Sequence, residues 1–396
     1  MNMNEQMKES EESILHTYNR FPVVFEKGQG CYLYDSEGKE YLDFAAGIAV
    51  NSLGYHYPGY DEALKDQIDK LMHISNLYYN EPIIEAGAKL VKVSKMSKAF
   101  FTNSGTEAIE GALKAAKKYA YVRDGHADHE IIAMNHSFHG RSIGALSVTG
   151  TAHYREPFEP LMGGVKFADF NNLESVKAQI TDKTCAIITE VVQGEGGIYP
   201  AKREFLEGLR QICDEKDIML IFDEIQCGMG RTGHYFAWQA YGVQPDIMTS
   251  AKALGCGVPV GAFVLNEKAA KASLEPGDHG TTYGGNPFVC AAVSKVFDIY
   301  ENDKIIEHVQ EMTPYLEQKL DEIVAKHECA ATRRGMGFMQ GIVIQGCPVG
   351  EVVKAALAKG LLVISAGSDV LRIVPPLVIT KEHIDKMAAI LDECME

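Results

Sequence analysis

Basic charge and long apolar runs are both scarce in this sequence. There are 38 lysines and arginines against 54 aspartates and glutamates, which gives a net charge of −16. Affinity for a nucleic-acid backbone comes from Lys and Arg, so this balance argues against nucleic-acid binding. No apolar run approaches the roughly 20 residues that a transmembrane helix needs, so we expect no membrane span.

Paired cysteine motifs are absent as well. Nine cysteines are present, but no C-x-x-C occurs. An odd number at wide spacing argues against a disulfide framework or a zinc ribbon. The first 13 residues are polar and acidic, unlike a secretory signal peptide. Together these features predict a cytoplasmic protein.

What the sequence does contain is typical of a globular α/β protein. It has 396 residues, of which 46% are hydrophobic and 23% charged, enough for a large core without disulfides or metals. Between residues 50 and 290, apolar strand patterns alternate with amphipathic helices, which predicts a mostly parallel sheet. The predicted strands are 99–102, 131–135, 186–192, 218–223, 247–250 and 261–265, and the predicted helices are 106–121 and 202–216.

The last hundred residues have a different pattern. Helical patterns at 291–300, 314–326 and 382–394 are mixed with short strand patterns at 339–344, 361–365 and 370–373. Near the start, 31–34 and 40–44 flank a DSEG turn, which is typical of a hairpin. We predict a large α/β domain over 50–290 and a smaller α+β domain built from 1–49 and 291–396.

Residues 103–108 (NSGTEA) lie between a predicted strand and a predicted helix. Gly105 lets a ligand approach the backbone, and the free N–H groups of a helix N-terminus favour phosphate. Ser104 and Glu107 also fit a capping box, which is the commoner explanation for such a pattern. Both interpretations can hold at once.

Two candidate residues lie at or just after the end of a predicted buried strand. Asp223 ends the strand 218–223, where a carboxylate faces the ligand crevice of an open α/β sheet and can hold a cationic ring nitrogen or a metal. Lys252 precedes a glycine-rich loop, and a lysine in a partly apolar site can form a Schiff base. For an isolated Asp or Lys, a structural ion pair or a solvated surface position is the more common role.

Three further segments offer ligand-binding groups. In 138–141 (FHGR), Phe138 can stack on a planar ligand and Arg141 can clamp a carboxylate. The turn at 279–287 holds two hydroxyls, Thr281 and Thr282, among backbone amides that suit phosphate. Arg372 is a candidate for an anionic substrate. Each of these also fits an ordinary loop or surface charge.

Two other motifs point to different chemistry. Residues 228–233 read G-x-G-x-x-G, but no helix begins there and Asp223 would repel a pyrophosphate, so we reject a dinucleotide site. Glu190 and Glu195, with Asp223, could hold a divalent metal or act as general acid and base. A metal-dependent hydrolase is therefore the alternative from a different class.

Taken in order, the motifs resemble those of class III, ornithine-type aminotransferases that depend on pyridoxal phosphate. The shared set is 103–108, 138–141, Glu190 with 193–195, 223–226, Lys252 and 282–287. The resemblance runs from about Tyr18 to the C-terminus. It implies a fold-type I transferase that forms a homodimer with active sites at the subunit interface.

The resemblance also implies a role for each residue toward pyridoxal 5′-phosphate. Lys252 forms the Schiff base, Asp223 pairs with the pyridine nitrogen, Gln226 lies near the ring hydroxyl, Phe138 stacks on the ring, Gly105 and Thr106 bind the phosphate, and Thr282 reaches the phosphate from the other subunit. No metal ligand is implied.

For the substrates, the resemblance implies two carboxylate sites. Arg141 binds the α-carboxylate of N2-acetylornithine, and Arg372 binds that of 2-oxoglutarate or glutamate. Glu195 pairs with Arg372 while the first substrate is bound. Thr281 and Tyr18 lie beside the substrate.

The expected reaction moves the terminal amino group of N2-acetylornithine to 2-oxoglutarate in two half-reactions. Succinylornithine, ornithine, 4-aminobutyrate and carrier-bound lysine stay open as donors. So does another pyridoxal-phosphate chemistry, such as that of an aminomutase, racemase or decarboxylase. Arg372 and Glu195 together favour two alternating substrates, and hence transfer. A non-catalytic binding protein would have no need of Lys252 and Asp223.

Overall fold

A computed structural model describes residues 3–396, so the first two positions of the predicted N-terminal segment lie outside the described residues. The helices are α1 Met3–Ser13, α2 Ala46–Ala49, α3 Tyr60–Lys70, α4 Glu81–Ser94, α5 Gly105–Asp124, α6 Ile143–Ser147, α7 Ala152–Arg155, α8 Leu173–Gln179, α9 Arg203–Lys216, α10 Trp238–Tyr241, α11 Glu267–Lys271, α12 Pro287–Asn302, α13 Ile305–Lys326, α14 Val349–Ala358 and α15 Lys381–Cys394, with 3₁₀ turns at Glu156–Phe158 and Lys252–Leu254. The strands are β1 Phe25–Gln29, β2 Tyr32–Asp35, β3 Glu40–Asp43, β4 Lys98–Thr102, β5 Glu130–Met134, β6 Val165–Ala168, β7 Thr184–Glu190, β8 Val192–Gln193, β9 Tyr199–Pro200, β10 Met219–Asp223, β11 Ile247–Ser250, β12 Gly261–Leu265, β13 Ala330–Met336, β14 Met339–Ile344, β15 Leu361–Leu362, β16 Ile364–Ala366 and β17 Val370–Ile373.

A seven-stranded sheet in the order β4-β12-β11-β10-β7-β5-β6 forms the centre of the molecule. The only antiparallel pairings are those of β12 with its neighbours β4 and β11. Every residue of β7, β10 and β11 is buried, as expected for strands covered on both faces. The predicted α/β class with a mostly parallel sheet is confirmed.

Four strands, β1, β6, β9 and β13, were not predicted from the sequence, and β6 and β13 show why. β6 lies at the sheet edge and has only its last residue buried, and β13 carries Thr332, Arg333 and Arg334 on a partly exposed hairpin. Neither has the continuous apolar run or the clean alternation that marks a strand in a sequence. The other predicted strands of the central sheet differ from the observed ones by three residues or fewer at each end, with predicted 186–192 divided between β7 and β8.

Two four-stranded sheets lie outside the central one, in the orders β1-β2-β3-β15 and β13-β14-β17-β16. The predicted hairpin is present as β2 and β3. Asp35 closes its turn by accepting hydrogen bonds from the N–H groups of Glu37 (3.0 Å) and Lys39 (2.9 Å). Strand β15 adds to β3 in parallel, so N-terminal and C-terminal segments share one sheet.

Helix α5 connects this framework to the functional site. Its buried face is rich in alanine, which lets it pack closely on the central sheet. Ser104 caps its N-terminus and accepts the N–H of Glu107 at 3.3 Å. The Glu107 carboxylate bonds to Asn103 instead of completing the capping box with Ser104. Among residues 3–396, no helix is both long and apolar enough to cross a membrane.

Candidate active site

A cavity of about 500 Å³ opens where the carboxyl ends of the parallel strands meet the N-terminus of α5. Ligand sites of open α/β sheets form at this edge. Of the residues predicted from the sequence, those that line the cavity are Gly105, Thr106, Phe138, Arg141, Glu190, Asp223, Gln226 and Lys252. Residues up to 147 positions apart in the chain are thus brought to one site.

The first turn of α5 forms one wall of the cavity. A Cβ at Gly105 would lie 2.9 Å from Ile225 Cδ1, so a larger residue there would have to displace that side chain. The Thr106 hydroxyl lies 2.8 Å from that of Ser142, which also donates to Glu110 one turn further along α5. These contacts fix the loop after Phe138 against the end of the helix that attracts anions.

Asp223 has a buried carboxylate with three protein donors. His139 Nδ1 lies 2.7 Å from Oδ2, while the Thr249 hydroxyl (3.1 Å) and the Ile225 N–H (3.0 Å) donate to Oδ1. Both His139 and Thr249 are themselves buried. The sequence analysis missed these two partners, because only the order of strands in the sheet places them beside Asp223.

Lys252 follows β11 and begins a 3₁₀ turn. Its backbone has a φ of +49°, a left-handed conformation that is uncommon for a lysine and clusters at functional sites. Burial lowers the pKa of its amine below the ordinary value, although Glu195 and Asp223 act in the opposite direction. A larger share of the amine is therefore uncharged at neutral pH than in a solvated lysine.

Glu195, Gln226 and Arg372 form one polar chain beside the cavity. Arg372 Nη1 donates to Glu195 Oε1 and also, at 3.1 Å, to Gln226 Oε1. Gln226 Nε2 donates to Glu195 Oε1 at 3.2 Å. Burial alone would raise the pKa of Glu195, but the charge and hydrogen bond of Arg372 hold it below the ordinary value. Glu195 therefore stays ionised and neutralises Arg372.

Arg141, at the mouth of the cavity, is unpaired among the described residues, in contrast to Arg372. It is exposed, and its guanidinium carbon lies 3.9 Å from the Tyr154 ring centroid and 5.3 Å from that of Phe138. Within the described part of the chain it forms no hydrogen bond and no ion pair. The site thus has one arginine masked by a carboxylate and one whose donors are free.

Besides Glu195 and Arg372, three further predicted residues do not line this cavity. Thr281 lies close by, and its hydroxyl accepts a hydrogen bond from Asn103 Nδ2 at 3.2 Å. Thr282 is exposed on the surface loop, and Tyr18 is 72% exposed in the N-terminal segment. For Thr282 and Tyr18 to contribute to an active site, a second subunit would have to pack against them or the chain would have to move.

The three carboxylates of the hydrolase alternative do not converge on a shared point. Glu195 faces Arg372, and Asp223 faces His139 and Thr249. Glu190 accepts the backbone N–H groups of Gly194 (3.2 Å) and Phe138 (3.4 Å). Burial and the nearby Asp223 raise the pKa of Glu190 well above its usual range, which disfavours the carboxylate form that a metal ligand needs. This arrangement does not favour a metal-dependent hydrolase.

The G-x-G-x-x-G segment forms a buried loop. Arg231 within it donates to the carbonyl oxygen of Pro375, and its own carbonyl accepts the N–H of Phe338 at 2.8 Å. The segment therefore ties the central sheet to the C-terminal part of the chain.

The donor set of the cavity fits pyridoxal phosphate. A helix N-terminus is available for a phosphate, a buried amine for an aldehyde, an ionisable carboxylate for a ring nitrogen and an aromatic ring for a planar face. Gly140 keeps the backbone close to this wall: its φ is +139°, and a Cβ there would lie 2.4 Å from the Thr106 hydroxyl.

Comparison with known proteins gives the same classification. Residues 14–395 match the family Aminotransferase class-III. The acetylornithine aminotransferase of Clostridium acetobutylicum is 47% identical over 98% of this chain and 100% of its own length. That of Methanocaldococcus jannaschii is 48% identical over 96% and 95%. The ornithine aminotransferase structure from Toxoplasma gondii superposes with a TM-score of 0.95 at 28% identity, covering 100% and 95% of the two chains. The chain therefore belongs to the class-III aminotransferases, enzymes whose cofactor is pyridoxal 5′-phosphate.

Proposed function

We propose that this enzyme transfers the terminal amino group of N2-acetyl-L-ornithine to 2-oxoglutarate, giving N-acetyl-L-glutamate 5-semialdehyde and L-glutamate in arginine biosynthesis. The observation that carries the proposal is the Glu195–Arg372 ion pair beside an unpaired Arg141. Both substrates have an α-carboxylate. In acetylornithine the reacting carbon lies at the far end of the molecule from that carboxylate, whereas in 2-oxoglutarate the reacting carbon is bonded to it. Two arginines, one of them reversibly masked, suit this alternation.

In the first half-reaction, Arg141 binds the α-carboxylate of acetylornithine while Glu195 keeps Arg372 neutralised. In the second, Glu195 moves away and Arg372 binds the α-carboxylate of 2-oxoglutarate. Bound pyridoxal phosphate supplies the aldehyde that accepts the amino group and a ring that withdraws electrons. Lys252 Nζ would take the proton from the substrate carbon that bears the amine, as general base, and deliver it to the cofactor carbon that receives the amino group, as general acid.

The remaining roles are proposed from the residues that line the cavity. Asp223, held by His139 and Thr249, would keep a ring nitrogen protonated. Gly105 and Thr106 would present backbone amides to the phosphate, Phe138 would cover one ring face and Gln226 would lie near the ring hydroxyl. Thr281 and Tyr18 are proposed to contact the substrate.

A homodimer is part of the proposal. Leu77 and Tyr79 are 86% and 94% exposed, and the adjacent Tyr283 is 61% exposed. Their segments are joined by Asn76 Nδ2, which donates to the Gly284 carbonyl at 2.8 Å. This apolar surface suits a second copy, and Thr282 beside it would then reach the partner's phosphate site. Sedimentation of Tyr79→Glu against the parent protein tests this, because persistence of the same dimer would reject the surface.

We also propose a cellular location and a domain division for this protein. We propose a cytoplasmic location, supported by nine cysteines that are all free thiols. We also propose the domain division 1–49, 50–290 and 291–396, supported by the pairing of β3 with β15.

The test is an absorption spectrum of the purified holoenzyme before and after adding N2-acetylornithine without an oxo acid. Loss of the visible cofactor band supports both the first half-reaction and the donor. An unchanged band rejects this donor, and succinylornithine, ornithine and 4-aminobutyrate follow as a panel. Lys252→Ala is the matched control, because it keeps the cavity and lacks the amine.

A further inference from the structure

Arg141 lies in a corner formed by two aromatic rings. The rings of Phe138 and Tyr154 meet edge to face, with centroids 5.9 Å apart and planes at 82°. The guanidinium lies closer to Tyr154 (3.9 Å) than to Phe138 (5.3 Å). A ring stacked on the face of a guanidinium leaves its in-plane N–H groups free for a carboxylate.

Tyr154 is fixed relative to Phe138 by the backbone. The N–H of Gly150 donates to both the carbonyl (3.0 Å) and the hydroxyl (2.9 Å) of Ser137, which directly precedes Phe138. On the other side of Tyr154, the Arg155 guanidinium lies 3.9 Å from the Phe167 ring of β6. Tyr154 therefore sits between two anchored points.

We propose that Tyr154 is a positioning residue that sets the recognition of the amino donor's carboxylate, by holding the Arg141 guanidinium in one orientation. Because no carboxylate pairs with Arg141 within residues 3–396, the aromatic contacts are what restrict its long side chain. The inference rests on the proposed function for the identity of the donor. The proposal concerns the donor, because the α-carboxylate of glutamate is assigned to Arg372 and its side-chain carboxylate has no assigned partner.

The test compares Tyr154→Leu, which removes the ring, with Tyr154→Phe, which keeps it. We expect Tyr154→Leu to raise the KM for N2-acetylornithine about 3- to 30-fold, the range of a cation–π contact. Its kcat should change less than this KM. Tyr154→Phe should resemble the parent enzyme in both quantities.

An unchanged KM for the donor in Tyr154→Leu, or a rise in Tyr154→Phe equal to that in Tyr154→Leu, would overturn the proposal. Melting temperature and cofactor absorbance verify that the variants fold, and Tyr154→Gln replaces the leucine variant if that one does not. If the parent enzyme does not act on N2-acetylornithine, the proposed function fails by itself. The same comparison then uses the best donor of the panel, so the two failures are distinguishable.

Discussion

Arg372 and Glu195, 177 positions apart in the chain, form an ion pair in which the arginine side chain is only 4% exposed. A charge buried to this degree is stable only while it is paired. Opening the pair for a second carboxylate therefore substitutes one anion for another and leaves no bare cation. In the function proposed above, this exchange would let one site serve two substrates in turn.

Arg372→Ala should impair the glutamate half-reaction far more than the acetylornithine half-reaction. Removing an arginine that pairs directly with a substrate carboxylate costs about 2–5 kcal/mol, or roughly 30- to 4000-fold. Stopped-flow absorbance of each half-reaction, started with one substrate alone, measures the two effects separately. Equal losses in both halves would contradict the two-arginine arrangement.

His139→Ala should weaken retention of the cofactor. It removes the 2.7 Å contact to Asp223 and leaves that buried carboxylate with two donors in place of three. A hydrogen bond to a charged group is worth about 1.5–3 kcal/mol, so we expect a cofactor dissociation constant at least about 10-fold higher. Equilibrium dialysis with pyridoxal phosphate measures it.

His139→Asn provides the matched control for that variant, because its amide nitrogen can take the place of Nδ1. It should recover most of the affinity. If His139→Asn and His139→Ala bind the cofactor equally weakly, the residue acts by filling space and not by supporting Asp223.

Glu224 should make stability fall as pH rises. It is fully buried and accepts the N–H groups of Ala237 and Trp238, each at 2.8 Å, and burial raises its pKa from 4.5 to about 7. Between these two values the folded protein holds a proton that the unfolded chain has released. Each pH unit in that window therefore costs at most about 1.4 kcal/mol of stability.

The matched variant is Glu224→Gln, which cannot ionise. Melting temperatures of both cofactor-free proteins are measured across pH 4.5 to 8. The melting temperature of the parent should fall relative to that of the variant as the pH rises to about 7. Above that pH the difference should level off. A difference independent of pH would show that Glu224 does not titrate in this range.

Gly111→Ala should destabilise the protein even though alanine is the better helix former. A Cβ at Gly111 in α5 would lie 2.2 Å from Cε1 of the Phe263 ring. Overpacking of this kind costs about 1–3 kcal/mol, which outweighs a propensity gain of about 1 kcal/mol. Thermal unfolding measures the balance.

Gly87→Ala in α4 is the control for that substitution. Its Cβ would meet only the edge of Phe101, at 3.9 Å. We expect it to raise stability by up to about 1 kcal/mol. Stabilisation by both substitutions would mean that the Phe263 ring can move aside at little cost in free energy.

The sequence by itself determined the strands and helices with strong local patterns. The buried runs of β7, β10 and β11 and the helix after residue 104 follow from local composition, and so do the positions of Asp223 and Lys252 at strand ends. Strands β6 and β13 were missed because their residues are polar or half exposed, and their pairing depends on neighbours distant in the chain.

Only the tertiary structure decided which side chains act on each other. Parallel strands place residues from remote parts of the chain at one edge of the sheet, and no local pattern encodes which neighbours meet there. The partners of Asp223 depend on that order. The proximity of Glu195 to Arg372 depends on the packing of β17, which belongs to a separate sheet, and the ring beside Arg141 comes from helix α7. The sequence supplies the functional groups, but the packing of strands and helices determines the distances between them.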